Sequence, residues 1–235
     1  WVSRVADTTA LAVAERMPSN RPFATFLSGG LDSSLVLAEL CSQGVERPKT
    51  FSIHFGDRYD NELEFAHLVA KRCGADHTDV LIEPRDFLPR MRRAIWHMDA
   101  PIGDPITIPN FELARQVGRD FSWVFNGEGG DPLFGGPKNI TMMMHQWYGS
   151  GDRSPGARER QYLASYRRAY TELDHLLSPE MRDHIEPRRD LEGILTPFFE
   201  AEAPVSFLDK LLAINLRLKG AHLILPKIER MLGAW

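Results

Sequence analysis

The sequence predicts an α/β fold, in which a parallel β-sheet has helices on both faces and a helical layer follows toward the C-terminus. Two observations carry this prediction: short apolar runs alternate with helix-like segments over the first 140 residues, and no strand-like run interrupts the remainder. Such alternation is typical of parallel strands joined by right-handed helical crossovers. We therefore expect an α/β core over residues 1–140 and a helical segment over residues 141–235, packed on the core as one compact unit.

The first strand lies between two predicted helices. A helix-like segment, Val2–Met17, ends before Pro18, and the apolar run Pro22–Leu27 is too short for a helix and is bounded by proline and glycine. Such a run is typical of a buried strand. Residues Asp32–Gln43 begin with residue types that cap helices and end at Gly44, so they predict a helix.

The same alternation continues along the chain. Further strands are predicted at Lys49–Phe55, His77–Ile82 and Ser122–Asn126. Further helices are predicted at Asn61–Arg72, Asp86–Met98, Ile108–Gly118 and, as the last, Val205 to about Leu225.

Composition restricts the partners of the chain. Its 235 residues carry 28 basic and 32 acidic side chains, a net charge of -4. Nucleic acid is not expected as a partner, since affinity for the phosphate backbone needs clustered cations. No run is apolar enough to span a membrane, no signal peptide is evident, and two cysteines cannot build a disulfide framework. We therefore expect a cytoplasmic protein that acts on small molecules.

The loop after the first strand has the features of a phosphate site. It contains Ser28, Gly29 and Gly30, followed by Asp32 and Ser33 at the start of a helix. Glycines allow backbone N–H groups to approach an anion, and the helix directs its positive end at the same place. Asp32 can hold Mg²⁺, and Ser33 can bond a phosphate oxygen. The alternative is a tight turn in which Asp32 and Ser33 cap the helix.

A second glycine-rich loop follows the last predicted strand. Residues 126–136 read NGEGGDPLFGG and contain two carboxylates, Glu128 and Asp131. Carboxyl ends of parallel strands face one edge of the sheet, so we expect Asp131 beside Asp32, with Mg²⁺ between them on a triphosphate. Glu128 would then reach toward the reacting centre. A glycine-rich connection without function is the alternative.

Together these segments resemble a known family. SGGLDSS and NGEGGDPLFGG, with TFSIHF and DAPIGDP between them, resemble the synthetase domain of the asparagine synthetase family from about Trp1 to Met231. That family belongs to the PP-loop ATP pyrophosphatases, whose fold is adenine nucleotide alpha hydrolase-like. The resemblance implies a ligase that activates a carboxylate with ATP as an acyl-adenylate, releases pyrophosphate, and lets an amine form the amide, as in asparagine biosynthesis.

The resemblance also implies roles for individual residues. Those implied to bind pyrophosphate are Ser28, Gly29, Gly30, Asp32 and Ser33. Those implied to contact adenine, largely through backbone groups, are Leu27, Ile53 and Gly127. Asp32 and Asp131 are implied to hold Mg²⁺. Glu128 matches an acidic residue associated with amine attack, where a base removes the proton of the nucleophile.

Several departures from the family pattern limit what it implies. Lys227–Met231 matches a K-x-D-R-M segment of the family, with glutamate in place of aspartate. The charge-stabilising lysine of the family lies beyond that segment, whereas this chain ends four residues after Met231. A glutaminase domain is also outside the chain. We therefore expect a piece of a longer protein, or another chain that supplies the glutaminase or C-terminal segment. Pro132 and Asn126 replace an acidic residue and a serine, which leaves aspartate open as the substrate.

Two weaker signals leave alternatives open. Asp99 and Asp104 lie in an acidic turn that the resemblance places near the substrate, but aspartate before proline is also common turn chemistry. His67, Cys73 and His77 suggest metal ligands, but no pattern of supporting residues accompanies them, so we interpret the histidines as structural.

The sequence therefore predicts an ATP- and Mg²⁺-dependent carbon–nitrogen ligase that forms AMP, pyrophosphate and an amide. The amine would be ammonia or part of a larger substrate, as in relatives that close β-lactam or macrolactam rings. Two alternatives stay open. One is a nucleotide-binding subunit or regulatory module without turnover, and the other is an RNA-modifying relative, which the lack of basic excess disfavours.

Overall fold

The chain divides into two compact units in a computed structural model. The described residues are 1–100, 104–136, 139–149, 151–152, 154–165, 170–184, 186–202 and 206–235. One unit comprises Trp1–Gly129 with Leu223–Trp235, and the other comprises Gly130–His222. The first contains the β-sheet, and the second is helical. Within the described ranges, no helix is long and apolar enough to cross a membrane.

The sheet contains four parallel strands in the order β3-β2-β1-β4. Their bounds are β1 Phe23–Phe26, β2 Lys49–His54, β3 Asp76–Leu81 and β4 Trp123–Phe125. Ala24 pairs with Lys49 of β2 and with Val124 of β4, so β1 is an inner strand. The predicted parallel α/β fold is thereby confirmed.

Helices connect the strands and follow them. Those between and beside the strands are α1 Val2–Ala14, α2 Leu31–Ser42, α3 Leu63–Arg72, α4 Phe87–Met98 and α5 Thr107–Val117, with a 3-10 turn at Pro84–Asp86. Those of the second unit are α6 Gly130–Phe134, α7 Ile140–Tyr148, α8 Ala157–Ser165, α9 Leu173–Leu176, α10 Pro179–His184, α11 Pro187–Phe199 and α12 Phe207–Ile214. The last, α13 Leu225–Leu232, belongs to the first unit.

Helices cover both faces of the sheet. Successive side chains of β1 point to opposite faces, and each face packs against different helices. Ala24 packs with Leu113 of α5 on one face. Phe23 packs with Val13 of α1 and Leu40 of α2 on the other. A strand that is buried on both faces is apolar along its whole length, so β1 is visible in the sequence as a continuous apolar run.

The second unit has a hydrophobic core of its own. The buried residues of that core come from α7, α8, α11 and α12 and are Met142, Tyr162, Leu195, Phe199, Leu211 and Ile214. A capping box starts α12, in which Ser206 accepts from the backbone N–H of Asp209, and the Asp209 carboxylate accepts from the backbone of Ser206.

The C-terminal helical stretch differs from the predicted single helix. Its predicted start, Val205, lies outside the described residues. The stretch contains α12, a π-helical segment at Asn215–Ile224, and α13, in which Pro226 occupies the first turn. Proline lacks an N–H, and its ring clashes with the carbonyl four residues earlier. The π-helical segment ends directly before the turn that contains Pro226.

The buried carboxylate of Glu112 connects α5 to α4. Its side chain is only 2% exposed and pairs with Arg115 and, at 2.6 Å, with Arg90 of α4. Burial opposes ionisation, but hydrogen bonds from Arg115 and the charges of Arg115 and Arg90 outweigh burial and hold the pKa of Glu112 below its usual value. The ion pairs therefore stabilise the fold while Glu112 is ionised.

Replacing Glu112 with glutamine should lower the free energy of unfolding by about 2 kcal/mol at neutral pH, because both guanidinium groups lose their buried partner. Since folding lowers this pKa, the stabilisation is present above the ordinary carboxyl value of 4.5 and is lost as the pH falls through the folded value. Urea unfolding of both proteins across this range measures the difference. The exposed Glu46→Gln control should change little, and equal stabilities of wild type and Glu112→Gln at neutral pH would contradict the assignment.

Candidate functional site

The strand order defines a crevice at one edge of the sheet. After β1 the chain continues to β2 on one side, whereas β4 lies on the other side of β1. In open parallel sheets, ligands bind outside the carboxyl ends of the strands where the order reverses in this way. The loops that leave β1 and β4 are therefore the candidate site.

The loop after β1 depends on Gly29. Its φ of +85° lies in the left-handed region, and a Cβ there would lie 2.7 Å from the backbone nitrogen of Ala66 and 2.8 Å from Cβ of Phe65. Both neighbours belong to α3. A side chain at this position is therefore strained and has no room, and the loop packs directly on the start of α3.

The hydroxyl groups of Ser28 and Ser33 fix the turn of the same loop. The Ser33 Oγ accepts from the backbone N–H of Ser28 at 3.1 Å and lies 3.0 Å from the Ser28 Oγ. The Ser28 Oγ in turn accepts from the N–H of Gly30 at 3.2 Å. These bonds connect the end of β1 to the first turn of α2 and fix the path of the loop between them.

The N-cap residue of α2 is Gly30, which has no side chain, and Asp32 lies in the first turn of the helix. The alternative in which Asp32 and Ser33 cap the helix stays open. The N-terminus of a helix carries partial positive charge and binds phosphate or carboxylate groups readily.

The loop after β4 contacts the loop after β1 at Gly127. A Cβ on Gly127 would lie 2.4 Å from the backbone nitrogen of Ser33 and 2.8 Å from the carbonyl carbon of Asp32. Only a residue without a side chain allows this approach. The two glycine-rich loops therefore meet backbone to backbone at the first turn of α2.

A buried lysine joins Glu128 to Asp104. The Lys227 Nζ lies 3.1 Å from the Asp104 Oδ2 and 3.7 Å from the Glu128 Oε1. The side chain of Lys227 is 3% exposed, whereas that of Glu128 is 37% exposed. The Asn126 Oδ1 accepts from the backbone N–H of Glu128 at 2.9 Å. One ammonium group thus holds two carboxylates, and Glu128 keeps a face open to solvent.

The packing of α13 places Lys227 in this cluster. Met231, one helical turn later, is buried with Ala94 of α4 and Phe111 of α5. Lys227 belongs to this well-packed helix, which limits its movement. The sequence analysis did not assign Lys227 to the site. A lysine inside the apolar stretch LILPKIERML was the available signal.

The residues implied to contact adenine lie on β1, β2 and the loop after β4. Leu27 is buried, its N–H donates to the Phe51 carbonyl at 2.9 Å, and its carbonyl accepts from the Ser52 Oγ. A contact from Leu27 to adenine would therefore use the second lone pair of that carbonyl. Ile53 is half-buried near the end of β2. Contacts between these residues and adenine stay predictions.

Asp99 and Asp104 have different surroundings. Asp99 ends α4 with a left-handed φ of 56°, is 79% exposed, and has Arg230 4.0 Å away. Asp104 joins Lys227 and Glu128 instead. Within the described residues, only Asp104 of this pair is in contact with the cluster that contains Glu128.

Asp131 lies in the second unit, in the first turn of α6. Its carboxylate lies against Gly136, where a Cβ would be 2.1 Å from the Asp131 Oδ1. The pairing of Asp131 with Asp32 around Mg²⁺ stays a prediction.

The chain is similar to a known family and to several known proteins. The family model of asparagine synthase matches residues 4–235. The chain is 32% identical to glutamine-hydrolyzing asparagine synthetase 1 of Bacillus subtilis (strain 168) over 135 residues, which are 57% of this chain and 21% of that protein. It is 34% identical over 126 residues to a putative glutamine-hydrolyzing asparagine synthetase 2 of Methanocaldococcus jannaschii, covering 53% of this chain and 24% of that protein.

A third relative carries a different name. Amidase chyE of Penicillium rubens is 31% identical over 140 residues, which are 53% of this chain and 21% of that protein. The matched region thus spans about a fifth to a quarter of the length of these relatives. From the family match over nearly its whole length, the chain belongs to the asparagine synthase family.

Proposed function

We propose that the protein is an ATP-dependent, AMP-forming carbon–nitrogen ligase. The supporting observation is the contact of Gly127 with the backbone of Asp32 and Ser33, which joins two glycine-rich loops at the reversal of strand order. Membership of the asparagine synthase family supports the same chemistry. In the proposed reaction a carboxylate attacks the α-phosphate of ATP, pyrophosphate leaves, and an amine then displaces AMP to form the amide.

The loop after β1 would receive the pyrophosphate. Its backbone N–H groups, the Ser28 hydroxyl and the positive end of α2 supply donors and partial positive charge to an anion. These groups are held in place before the ligand arrives, so they need no reorganisation during the reaction. Fixing the carboxylate in line with the leaving group would contribute much of the rate, on the order of 7–11 kcal/mol at best.

Magnesium fits the chemistry of Asp32. A carboxylate in the first turn of α2, beside the glycine-containing loop, provides the hard oxygen ligand that Mg²⁺ prefers. When bound, Mg²⁺ would neutralise negative charge on the phosphates. The proposal adds Asp131 as a second ligand.

Glu128 would act at the amine-attack step. Its exposed face allows it to receive a proton from the incoming amine, while the contact with Lys227 fixes the direction of its carboxylate and Asn126 holds its backbone N–H. Lys227 is a positioning residue in this proposal. Pro132 and Asn126 depart from the residues that the family usually has near the acidic loop, so the proposal does not fix aspartate as the acid.

The products of ATP cleavage test this proposal. Purified protein with ATP, Mg²⁺, ammonia and a panel of carboxylic acids that includes aspartate should release pyrophosphate and AMP in an acid-dependent manner. Formation of ADP and orthophosphate would overturn adenylation. Binding of ATP with Mg²⁺ but without acid-dependent AMP, even with the native partner chains added, would overturn the enzyme and favour a nucleotide-binding module.

Asp32→Asn should lower acid-dependent pyrophosphate release by about 100-fold, because a neutral amide holds Mg²⁺ poorly against four phosphate charges. Circular dichroism should show an intact fold. The control is Asp120→Asn, since Asp120 is exposed and precedes β4, at the opposite ends of the strands. Equal rates for Asp32→Asn and wild type would remove Asp32 from the metal site.

A further inference from the structure

A second polar cluster lies between α3 and the outer strand β3. It contains His67 of α3 and His77 and Asp79 of β3. The Nε2 of His67 lies 2.8 Å from the Asp79 Oδ2, and the Nε2 of His77 lies 3.1 Å from the Asp79 Oδ1. One potential ligand atom from each residue lies within 4.8 Å of the others.

The ring of His77 is buried and aimed into this cluster. Its side chain is 10% exposed, its Nδ1 lies 2.8 Å from the Thr50 Oγ1, and its Nε2 makes no well-formed hydrogen bond with a described residue. If Nε2 carried the proton, its nearest acceptor would be the Asp79 Oδ1, which lies 3.1 Å away but outside hydrogen-bond geometry. If Nε2 carried the lone pair, that lone pair would face a carboxylate oxygen. A cation bound between them would satisfy both Nε2 and the carboxylate.

From this geometry we propose that His67, His77 and Asp79 bind a divalent transition-metal ion of the zinc class. Two imidazoles and one carboxylate suit zinc and its neighbours and do not suit Mg²⁺, which prefers oxygen ligands. Ligand atoms about 2.0–2.2 Å from a tetrahedral ion are roughly 3.3 Å apart. The separations of 2.8 Å and 3.1 Å to Asp79 need only small adjustments to reach that value.

The surroundings provide what such a site requires. Thr50, fully buried on β2, binds the second ring nitrogen of His77 and fixes the ring direction, which is the usual role of a supporting hydrogen bond at metal-bound histidine. His67 is 51% exposed and Asp79 is 34% exposed, so the outer side remains open for water as a fourth ligand. This supporting residue, Thr50, lies on β2, so the sequence around His77 did not reveal it.

The thiol of Cys41 is a weak competitor for the ion, since burial and the neighbouring Cys73 raise its pKa to about 11.

Cobalt titration tests the site, because Co²⁺ occupies zinc sites and absorbs visible light. After dialysis against a chelator, the purified protein should bind one equivalent of Co²⁺ with a visible absorption band, which Zn²⁺ should displace and excess Mg²⁺ should not. His67→Gln and His77→Gln should each weaken binding at least about tenfold, and Thr50→Val by about tenfold. The matched control, His175→Gln, changes an exposed histidine of the second unit and should leave binding unchanged.

Several results would overturn the proposal. These are the absence of saturable Co²⁺ binding, binding that survives both histidine substitutions, and a near-ultraviolet thiolate band that identifies cysteine ligands. His77→Gln tests a buried position and can disturb folding, so the exposed His67→Gln variant, with its fold checked by circular dichroism, decides the case. None of these measurements uses catalytic turnover, so failure of the ligase proposal would not affect them.

Discussion

Replacing Gly127 with alanine should reduce acid-dependent pyrophosphate release by about 100-fold or more, since displacing a positioned group by about 1 Å has that effect. The new Cβ would lie 2.4 Å from the backbone nitrogen of Ser33 and 2.8 Å from the carbonyl carbon of Asp32. Backbone atoms cannot rotate away as the end of a flexible side chain can. The loop after β4 must therefore move away from the first turn of α2, and the crevice opens.

The same substitution should cost about 1–3 kcal/mol of stability, as overpacking usually does. Calorimetry should show weaker binding of ATP with Mg²⁺, and pyrophosphate release should be measured at saturating ATP so that the two effects separate. Gly193→Ala is the matched control, because a Cβ at this glycine meets no atom of the described residues within 4 Å. Normal ATP binding and turnover in Gly127→Ala would mean that the meeting of the two loops has no part in the reaction.

Replacing Lys227 with methionine should reduce amide formation by about 100-fold while affecting adenylation less. Methionine keeps the length of the side chain but removes the ammonium that holds Asp104 and Glu128. Without it, the two carboxylates repel each other, and Glu128 no longer has a fixed direction. We also expect a loss of about 2–3 kcal/mol of stability, less than for fully buried pairs because both carboxylates are partly exposed.

Two assays separate the proposed steps. Acid-dependent exchange of pyrophosphate into ATP reports adenylation, and amide formation with saturating amine reports the second step. The double variant Lys227→Met with Glu128→Gln should be little worse than Glu128→Gln alone, because both changes act on one carboxylate. Lys71→Met, at an exposed position of α3, is the control. Additive losses, or equal losses in both assays, would show that Lys227 acts only through stability.

The sequence was informative about the sheet because a strand that is buried on both faces consists of consecutive apolar residues. The run from Pro22 to Leu27 is apolar, short and bounded by proline and glycine, and the strand Phe23–Phe26 lies inside it. Gly29 is informative in the same local way, since its left-handed φ, in the turn that follows the strand, favours glycine. Features of this kind are visible in a few consecutive residues.

Features that depend on distant residues were not visible. Lys227 contacts Asp104 across 123 positions of the chain, and no local pattern connects them. Thr50 supports His77 from a neighbouring strand, so inspection of the sequence around either histidine found no supporting residue. The π-helical segment is another case, because Pro226 indicated a boundary but not how the backbone accommodates it.

The pairing of β1 with β4 has a consequence for folding. Thr25 pairs with Thr50 of β2, 25 residues away, and with Phe125 of β4, 100 residues away. Loop-closure entropy rises by about 0.6 kcal/mol for each doubling of loop length, so joining β4 costs about 1.2 kcal/mol more than joining β2. The crevice thus arises from the entropically most expensive contact in the sheet. A nucleotide that bridges both loops would offset that cost directly, because it binds only the chain in which the contact has formed.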